Sequence, residues 1–580
     1  MGRASRKTSS PARTVVVPPP VSAKPAKPGW IFPALLFAGA VILAFILYAP
    51  SLNGDFVFDD RTLPFFYKDA PTLPFRAWLG TRPLLMASYY LNYHANALDP
   101  FAYHAVNVLM HAICSVLIFY AVRRILEWAG TPARERFGAA FFAAGLFLVH
   151  PIQTEAVSYI ASRSETLSVL FFLAAFNVFL YRGKQAVTAR VAAAILLLYF
   201  AAITSKEHTA VLPAVLLLTD FYWNPGFRFD GIRRNWKLYV PICIGGVLGV
   251  AYILSRIGKG SNAGFSFEGF TWYQYLFTEF RAFFVYVRLL IAPFGQSADY
   301  DFPVSHTLFQ HGAIIYGIAL IALAVLAFIY RKRFPVASYG FFLTLILLAP
   351  TSSFIPIRDP LAERRLYLPF IGIVLIVAEW TRRARWRQSE WVGACGILLV
   401  FAAFSYQRNC VWVDMQSLWA DAYAQNPRNV RATMGLADGY VMKGQCAEAL
   451  PYFQKAAGLQ RDYQNVYNLA SVYDCLNQAA PAMAAYQGAL QIQQKSEAWV
   501  HIGILDLKTG KFDDAAQAFD RAEQIDGSYL NTFIYRGIMY LAQSRFDDAA
   551  VQFKTVLGVE PANQLALRGM ERASAHVRQF

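Results

Sequence analysis

The sequence predicts an all-α protein, a polytopic helical membrane domain followed by an α-solenoid. Three observations carry this reading. Apolar runs long enough to cross a bilayer recur from Trp30 to about Gln407. Lys and Arg gather in the short stretches between those runs, as in Arg123-Arg124, Arg331-Lys332-Arg333 and Arg382-Arg383-Ala384-Arg385. From about Val411 the apolar runs stop, Ala, Gln, Tyr and Asp rise, and a repeat with a period of roughly 34 residues begins. The 580 residues are 56% hydrophobic and 16% aromatic, the composition of a membrane protein. Those basic loops account for the net charge of +16, so membrane lipid is an expected partner and nucleic acid is not.

Residues 1–29 carry Arg3, Arg6, Lys7, Arg13, Lys24 and Lys27 and no acid, and read as a disordered basic cytoplasmic tail. Residues 30–408 read as the membrane domain. No small-residue cleavage site follows its first span, Ile31–Ala49, which is therefore read as an anchor and not a signal peptide. Further crossings are read at Tyr103–Leu126, Phe137–Ile160, Leu167–Tyr181, Val191–Thr204, Thr209–Tyr222, Leu238–Leu254, Ala313–Tyr330, Val336–Leu348, Leu366–Thr381 and Trp391–Tyr406, about eleven in all. With the N-terminus inside, this parity puts every basic loop on the cytoplasmic side. Tyr275–Ile291 is also apolar but carries Glu279, Arg281 and Arg288, and reads as interfacial or re-entrant.

Residues 409–580 hold the repeats. Leu436, Ala437, Tyr440, Gly444, Ala449, Phe453 and Ala456 mark the first unit, and Leu469, Ala470, Tyr473, Ala482, Tyr486 and Ala489 the second. Trp499, Gly503, Gly510, Ala515, Phe519 and Ala522 mark the third, and Gly537, Tyr540, Ala549, Phe553 and Pro561 the fourth. This is the tetratricopeptide pattern, in which small residues let helices approach and aromatics fill the gaps. Trp419, Ala422 and Pro427 fit half of a further unit joining the array to the last span. Such grooves hold peptides, so a protein acceptor or partner is expected there. Six cysteines show no metal-ligand spacing; Cys446 and Cys475 either pair outside the cytoplasm or remain free.

The leading site candidate is Asp59-Asp60, just beyond the first span, because neighbouring carboxylates beside a bilayer are costly unless used. Parity places it on the outer face with the segments His150–Arg163, Ser205–His208, Asp299–Asp301 and Arg358–Arg365. No P-loop, dinucleotide fingerprint or hydrolase elbow occurs, so a nucleotide sugar is not expected as a direct donor.

Asp59-Asp60, Thr81-Arg82-Pro83-Leu84, His104 with Asn107 and His111, His150-Pro151 leading to Glu155 and Arg163, Ser205-Lys206-Glu207, Asp299-Tyr300 and Glu363-Arg364-Arg365-Leu366-Tyr367-Leu368-Pro369 form an ordered set. With the terminal repeats, this set resembles bacterial relatives of the transmembrane and tetratricopeptide-repeat-containing O-mannosyltransferases. The resemblance covers nearly the whole chain except its basic leader. It implies a GT-C type glycosyltransferase that moves a sugar, mannose in that family, from a polyprenyl-phosphate carrier to an acceptor hydroxyl. It also implies a multi-pass protein of a bacterial inner membrane, with active site and repeats on the periplasmic face.

The chemistry demands particular groups. A Ser or Thr hydroxyl needs a carboxylate to take its proton, a role expected of Asp59, with Asp60 orienting the acceptor or holding a divalent cation, Mg²⁺ or Mn²⁺. Two adjacent like charges should raise one of their pKa values. The alternative is a pair that caps the next helix. The leaving lipid phosphate needs cationic donors, for which Arg163, Lys206, Arg364 and Arg365 are the candidates, unless they snorkel or bind bulk anionic lipid. Glu155, Glu165, Glu207 and Glu363 would position these cations or bind sugar hydroxyls, or form simple ion pairs. His104 belongs to a polar helix stripe, His150 and His208 lie at span ends where protons could transfer, and Arg82 shapes the donor entrance. Two rivals stand beside this reading: a glycolipid or cell-wall polymer as acceptor, and a non-enzymatic scaffold that uses its repeats for assembly.

Overall fold

A computed structural model describes residues 30–578 apart from 68–69, 183, 225, 257–263, 265–266 and 268, and apart from the side chains of 248–256. The basic leader lies outside the described residues, as do the side chains at the end of the expected crossing Leu238–Leu254. The described chain is all-helical, without a β-strand.

Every expected crossing is occupied by helix, but the count of eleven full-length spans is not met. Among the described residues four helices are long and apolar enough to cross a membrane: Pro100–Trp128, Ile160–Tyr181, Gln310–Lys332 and Gln388–Trp412. A fifth span is formed if Ala133–Val149 and Pro151–Ser158, bent by 51°, are taken together. The bend falls at His150-Pro151, where proline removes an N–H from the helical ladder. The other apolar helices, Ile31–Leu47, Ala189–Ile203, Trp236–Val247, Pro335–Leu348 and Phe370–Thr381, run only 10–17 residues. Apolar run length overstated them because part of each run is used in turns: Leu366 ends a 3₁₀ turn from Glu363, and α-helix starts only at Phe370. The Tyr275–Ile291 segment lies in one continuous helix, Trp272–Ile291, whose buried face of Tyr275, Thr278, Glu279, Ala282, Tyr286 and Leu289 has the three-to-four spacing of an amphipathic helix.

Two of the long helices form the centre and two the perimeter. Pro100–Trp128 and Ile160–Tyr181 are 61% and 72% buried over their apolar windows, whereas Gln310–Lys332 and Gln388–Trp412 are 11% buried in each case. Exposed Ile315, Ile318, Ile321, Leu399 and Val400 give these outer helices the apolar surface that lipid accommodates. Helices Pro335–Leu348 and Phe370–Thr381 pack backbone to backbone, since a Cβ on Gly372 would lie 2.5 Å from the Gly340 carbonyl.

The basic loops collect at one end of the bundle. Arg124 donates to the Leu180 carbonyl, Arg134 to Trp386 and Arg383 to Arg333, while Arg382 and Arg383 share Glu379. The acid pair and the segments expected beside it lie at the opposite helix ends.

The solenoid comprises the helix pairs Val430–Met442 with Cys446–Leu459, Tyr463–Cys475 with Ala479–Ile492, Ser496–Lys508 with Phe512–Ile525, and Leu530–Ala542 with Phe546–Val559. Helix Gln564–Ser574 follows them, and Met415–Gln425 precedes them as the expected half unit. Glycines receive the aromatics: a Cβ on Gly435 would strike Trp419 at 2.3 Å, one on Gly503 would strike Phe519 at 2.5 Å, and one on Gly569 would strike Phe553 at 2.4 Å. Cys446 and Cys475 are disulfide-bonded, which joins the first unit to the second.

Candidate active site

The acidic pair lies on a 3₁₀ turn, Phe58–Thr62, entered through Phe58 in a left-handed conformation (φ +54°). With three residues per turn, neighbouring side chains diverge by about 120°. Asp59 consequently faces out and is exposed, while Asp60 is 0% exposed. Both Asp60 oxygens are occupied: Val57 N–H donates to Oδ2 at 3.0 Å and Ala161 N–H to Oδ1 at 2.6 Å. Burial pushes the Asp60 carboxyl up to about 8, opposed by those two donors and by Arg163, and helped by the charge of Asp59. The shift expected for one member of the pair therefore falls on Asp60, with burial as its first cause. The Val57 bond closes the turn and the Ala161 bond ties it to the His150–Arg163 segment, an anchoring role in place of the expected contact with acceptor or metal. With Asp60 buried and Asp59 turned outward, the two carboxylates do not converge, and the pair does not fit a divalent cation. Among the described residues there is also no group of three or more His, Cys, Asp or Glu arranged to hold a metal ion.

The four phosphate-binding candidates separate in the same way. Arg163 is fully enclosed, donating to Asn107 Oδ1 at 2.9 Å, Asn92 Oδ1 at 2.9 Å and the Tyr103 carbonyl at 3.0 Å, with its guanidinium over the Tyr89 ring. Arg365 is buried, bonded to Tyr275 Oη and the carbonyls of Asp359 and Pro360, with Glu279 at 3.8 Å. Neither presents a donor to an external ligand. Arg364 does: its side chain is 23% exposed, Glu155 receives its backbone N–H at 2.8 Å, and of its guanidinium only Nη1 bonds protein, again Glu155, among the described residues. Lys206, 17% exposed, donates to Glu165 at 2.5 Å. Burial pulls the Lys206 ammonium down against the pull of Glu165, and the nearby Arg82 and Arg364 push the same way as burial. Three ion pairs thus lie near one another, Lys206 with Glu165, Arg82 with Glu207 and Arg364 with Glu155.

Arg82 forms a bidentate pair with Glu207, Nε to Oε1 at 2.9 Å and Nη2 to Oε2 at 2.8 Å. Burial raises the Glu207 carboxyl, but the Arg82 bonds outweigh it and leave it below the usual range. His208 lies 3.4 Å from Glu165, and burial drops its pKa to about 4, so it is neutral near pH 7. Glu363 is enclosed by Gln296, the Ser297 N–H and Tyr300 Oη; burial, opposed first by Arg408, lifts it to about 7. It secures the 296–300 loop and contacts no open space. His150 is buried, with Nδ1 accepting from Ile152 N–H and Nε2 at 3.0 Å from the Leu290 carbonyl, so both ring nitrogens are engaged in the fold. His104 is buried in helix Pro100–Trp128 beside the backbone of Gly54 and Ser158.

Several members of the site were not singled out from the sequence. Tyr159 joins its two halves: its hydroxyl accepts the Asp59 N–H at 3.0 Å, and it lies within electrostatic reach of Asp59, Asp60 and Arg364. Burial keeps its hydroxyl well above its ordinary range. Its only sequence signal was its place within the His150–Arg163 segment. The solenoid supplies the others: Met415 Sδ accepts the Phe58 N–H at 3.1 Å, and Trp419 meets the Phe58 ring edge-on at 5.4 Å. Arg431 covers that ring at 4.7 Å. No local pattern links these residues to Asp59.

Comparison with known proteins bears on this arrangement. No family model matches the chain. The protein O-mannosyl-transferase Tmtc3 of Drosophila melanogaster is 25% identical over 482 residues, 70% of this chain and 51% of that protein. Protein O-mannosyl-transferase TMTC3 of Mus musculus is 26% identical over 497 residues, 76% and 53% of the two chains. Both of these homologues of the chain are named protein O-mannosyl-transferases. A shorter stretch of 162 residues is 35% identical to protein O-mannosyl-transferase TMTC1 of Mus musculus, covering 25% of this chain and 16% of that one. The chain spans about half the length of the first two relatives. Among solved structures, YrrB, described as a TPR protein with an unusual peptide-binding site, aligns at a TM-score of 0.24 and 20% identity over 31% of this chain and 90% of its own.

Proposed function

We propose that the chain is a GT-C type membrane glycosyltransferase that moves a single mannose from a polyprenyl-phosphate carrier to a Ser or Thr hydroxyl of a protein acceptor. The observation that carries the reading is that an exposed carboxylate, Asp59, and a partly exposed arginine, Arg364, both lie near Tyr159, whose hydroxyl accepts the Asp59 N–H and is within electrostatic reach of Arg364. In the transfer, Asp59 takes the hydroxyl proton as the new oxygen–C1 bond forms. The C1–O(phosphate) bond breaks from the opposite face, its electron pair leaves with the lipid phosphate, and the anomeric centre inverts. Arg364, held by Glu155, meets the growing phosphate charge, while Lys206 and Arg82, paired with Glu165 and Glu207, line the same side of the site. Asp60, Arg163, Arg365 and Glu363 hold the loops that carry these groups.

Orientation follows from charge. The basic end faces the cytoplasm, which sets the site and the solenoid on the extracytoplasmic face, periplasmic in a bacterial inner membrane. The Cys446–Cys475 disulfide, which persists in an oxidising compartment, supports this placement. Homology to proteins named O-mannosyl-transferases supports mannose and a protein acceptor over a glycolipid or wall polymer.

The test is transfer by the purified protein in lipid, from polyprenyl-phosphate-mannose to a Ser/Thr peptide panel. A hexose mass gain on peptide that is lost in Asp59→Asn is the expected result. No transfer to peptide, glycolipid or wall fragment overturns the enzyme reading in favour of the scaffold.

A further inference from the structure

The solenoid is built into the acidic turn. Asp55 N–H donates to the Val413 carbonyl at 2.7 Å, and a Cβ on Gly54 would lie 2.9 Å from the Trp412 carbonyl. Val57 shares a hydrophobic cluster with Tyr159, Trp412 and Leu418, and the Phe58 ring enters the core of the first solenoid helices with Trp419, Ala432 and Leu436. Phe58 holds a left-handed backbone conformation (φ +54°), which is unfavourable for a bulky residue and persists only when its surroundings over-determine it. Three of those surroundings come from the solenoid: the Met415 sulfur on the Phe58 N–H, the Trp419 ring against its side chain, and the Arg431 guanidinium above it. Arg431 is in turn tethered to the membrane domain, 3.2 Å from Asp359 and 3.6 Å from Asp299, while Asn429 bonds the Asp299 carbonyl. The residue whose backbone is clamped is the one immediately before Asp59.

We propose that Trp419 and Arg431 are positioning residues for the Asp59 base, so that docking of the first solenoid unit completes the active site in addition to any recruitment of acceptor. This rests on the function proposed above. A displacement of the base by about 1 Å costs on the order of a hundredfold in rate, so loosening the clamp should appear in turnover.

The experiment uses the full chain in lipid nanodiscs, with polyprenyl-phosphate-mannose and two acceptors, a long Ser/Thr peptide and N-acetyl-threonine amide, which is too small to reach the solenoid groove. The variants are Trp419→Ala, Trp419→Phe and Arg431→Ala, with Lys508→Ala, which breaks an ion pair to Asp474 inside the solenoid, as control. Positioning predicts a fall in kcat of about tenfold or more on both acceptors for Trp419→Ala and Arg431→Ala, an unchanged KM for the carrier, recovery in Trp419→Phe, and no change in the control. A loss confined to the long peptide and seen only in KM makes the solenoid a recruiter and overturns the proposal. Amide hydrogen exchange of residues 57–62 gives a readout independent of activity. Exchange about tenfold faster in Arg431→Ala and Trp419→Ala but not in Lys508→Ala supports the clamp, and unchanged protection overturns it. An inactive wild type refutes the proposed function alone, leaving the exchange result to decide the clamp.

Discussion

Replacing each member of the acidic pair by its amide separates base from anchor. Asp59 is exposed and its carboxylate makes no hydrogen bond to protein among the described residues, so Asp59→Asn should leave stability within about 0.5 kcal/mol of wild type. Loss of a general base from the transfer step should lower kcat by roughly 10²–10⁴-fold. Asp60→Asn should do the reverse. Its two oxygens accept from Val57 and Ala161, and whichever way the amide is turned, its NH₂ group confronts one of those N–H donors. One hydrogen bond is lost and one buried N–H is orphaned, a cost of about 1–3 kcal/mol. Mannose transfer in nanodiscs, read by peptide mass, measures the first effect; denaturant unfolding of the same preparations measures the second. If Asp60→Asn kept its stability and lost transfer while Asp59→Asn stayed active, the assignment of base and anchor from burial would be refuted.

Arg364→Gln should reduce kcat by roughly 10²–10³-fold and also cost stability, because buried Glu155 loses its cation, whereas Arg163→Gln, which unpairs Asn92 and Asn107, should act on stability first; parallel kinetics and unfolding compare them. His208 makes stability depend on acid: its folded pKa, about 4, lies below the ordinary 6.5, so its contribution is full above about 6.5 and is lost as pH falls toward 4. His208→Gln should therefore flatten the stability loss between pH 6.5 and 4, and an unchanged slope would exclude His208 as its source. The disulfide closes a separation of 29 residues, which corresponds to ~3–4 kcal/mol of unfolded-state entropy; Cys446→Ala with Cys475→Ala should destabilise the solenoid by about that amount in denaturant melts, and the double variant should no longer respond to reductant.

Much of the architecture was legible because it is local. Apolar runs, their basic boundaries and the Gly and aromatic spacing of the repeats appear as helices, as a basic end of the bundle, and as glycine cradles for Trp419, Phe519 and Phe553. Span length was read less well. Run length does not register where proline at 151 breaks a ladder or where residues 363–366 turn before helix begins, so full-length spans among the described residues number four, or five with the bent pair.

The sequence by itself determined that the chain is helical, that it has an apolar bundle and a repeat array, and that its candidate charges collect at the helix ends away from the basic loops. Periodicity and composition suffice for that, because each helix needs only its own apolar face and caps. Only the tertiary structure decided which charges stay within reach of a ligand. Asp59 and Asp60 are adjacent and chemically identical, as are Arg364 and Arg365, yet in each pair one is accessible and the other is enclosed. The enclosing groups come from remote stretches of chain: Ala161 for Asp60, Tyr275 and the Asp359–Pro360 backbone for Arg365, and Trp419 and Arg431 for the turn itself. Desolvation is set by everything packed around a group, and one stretch of sequence does not contain that information.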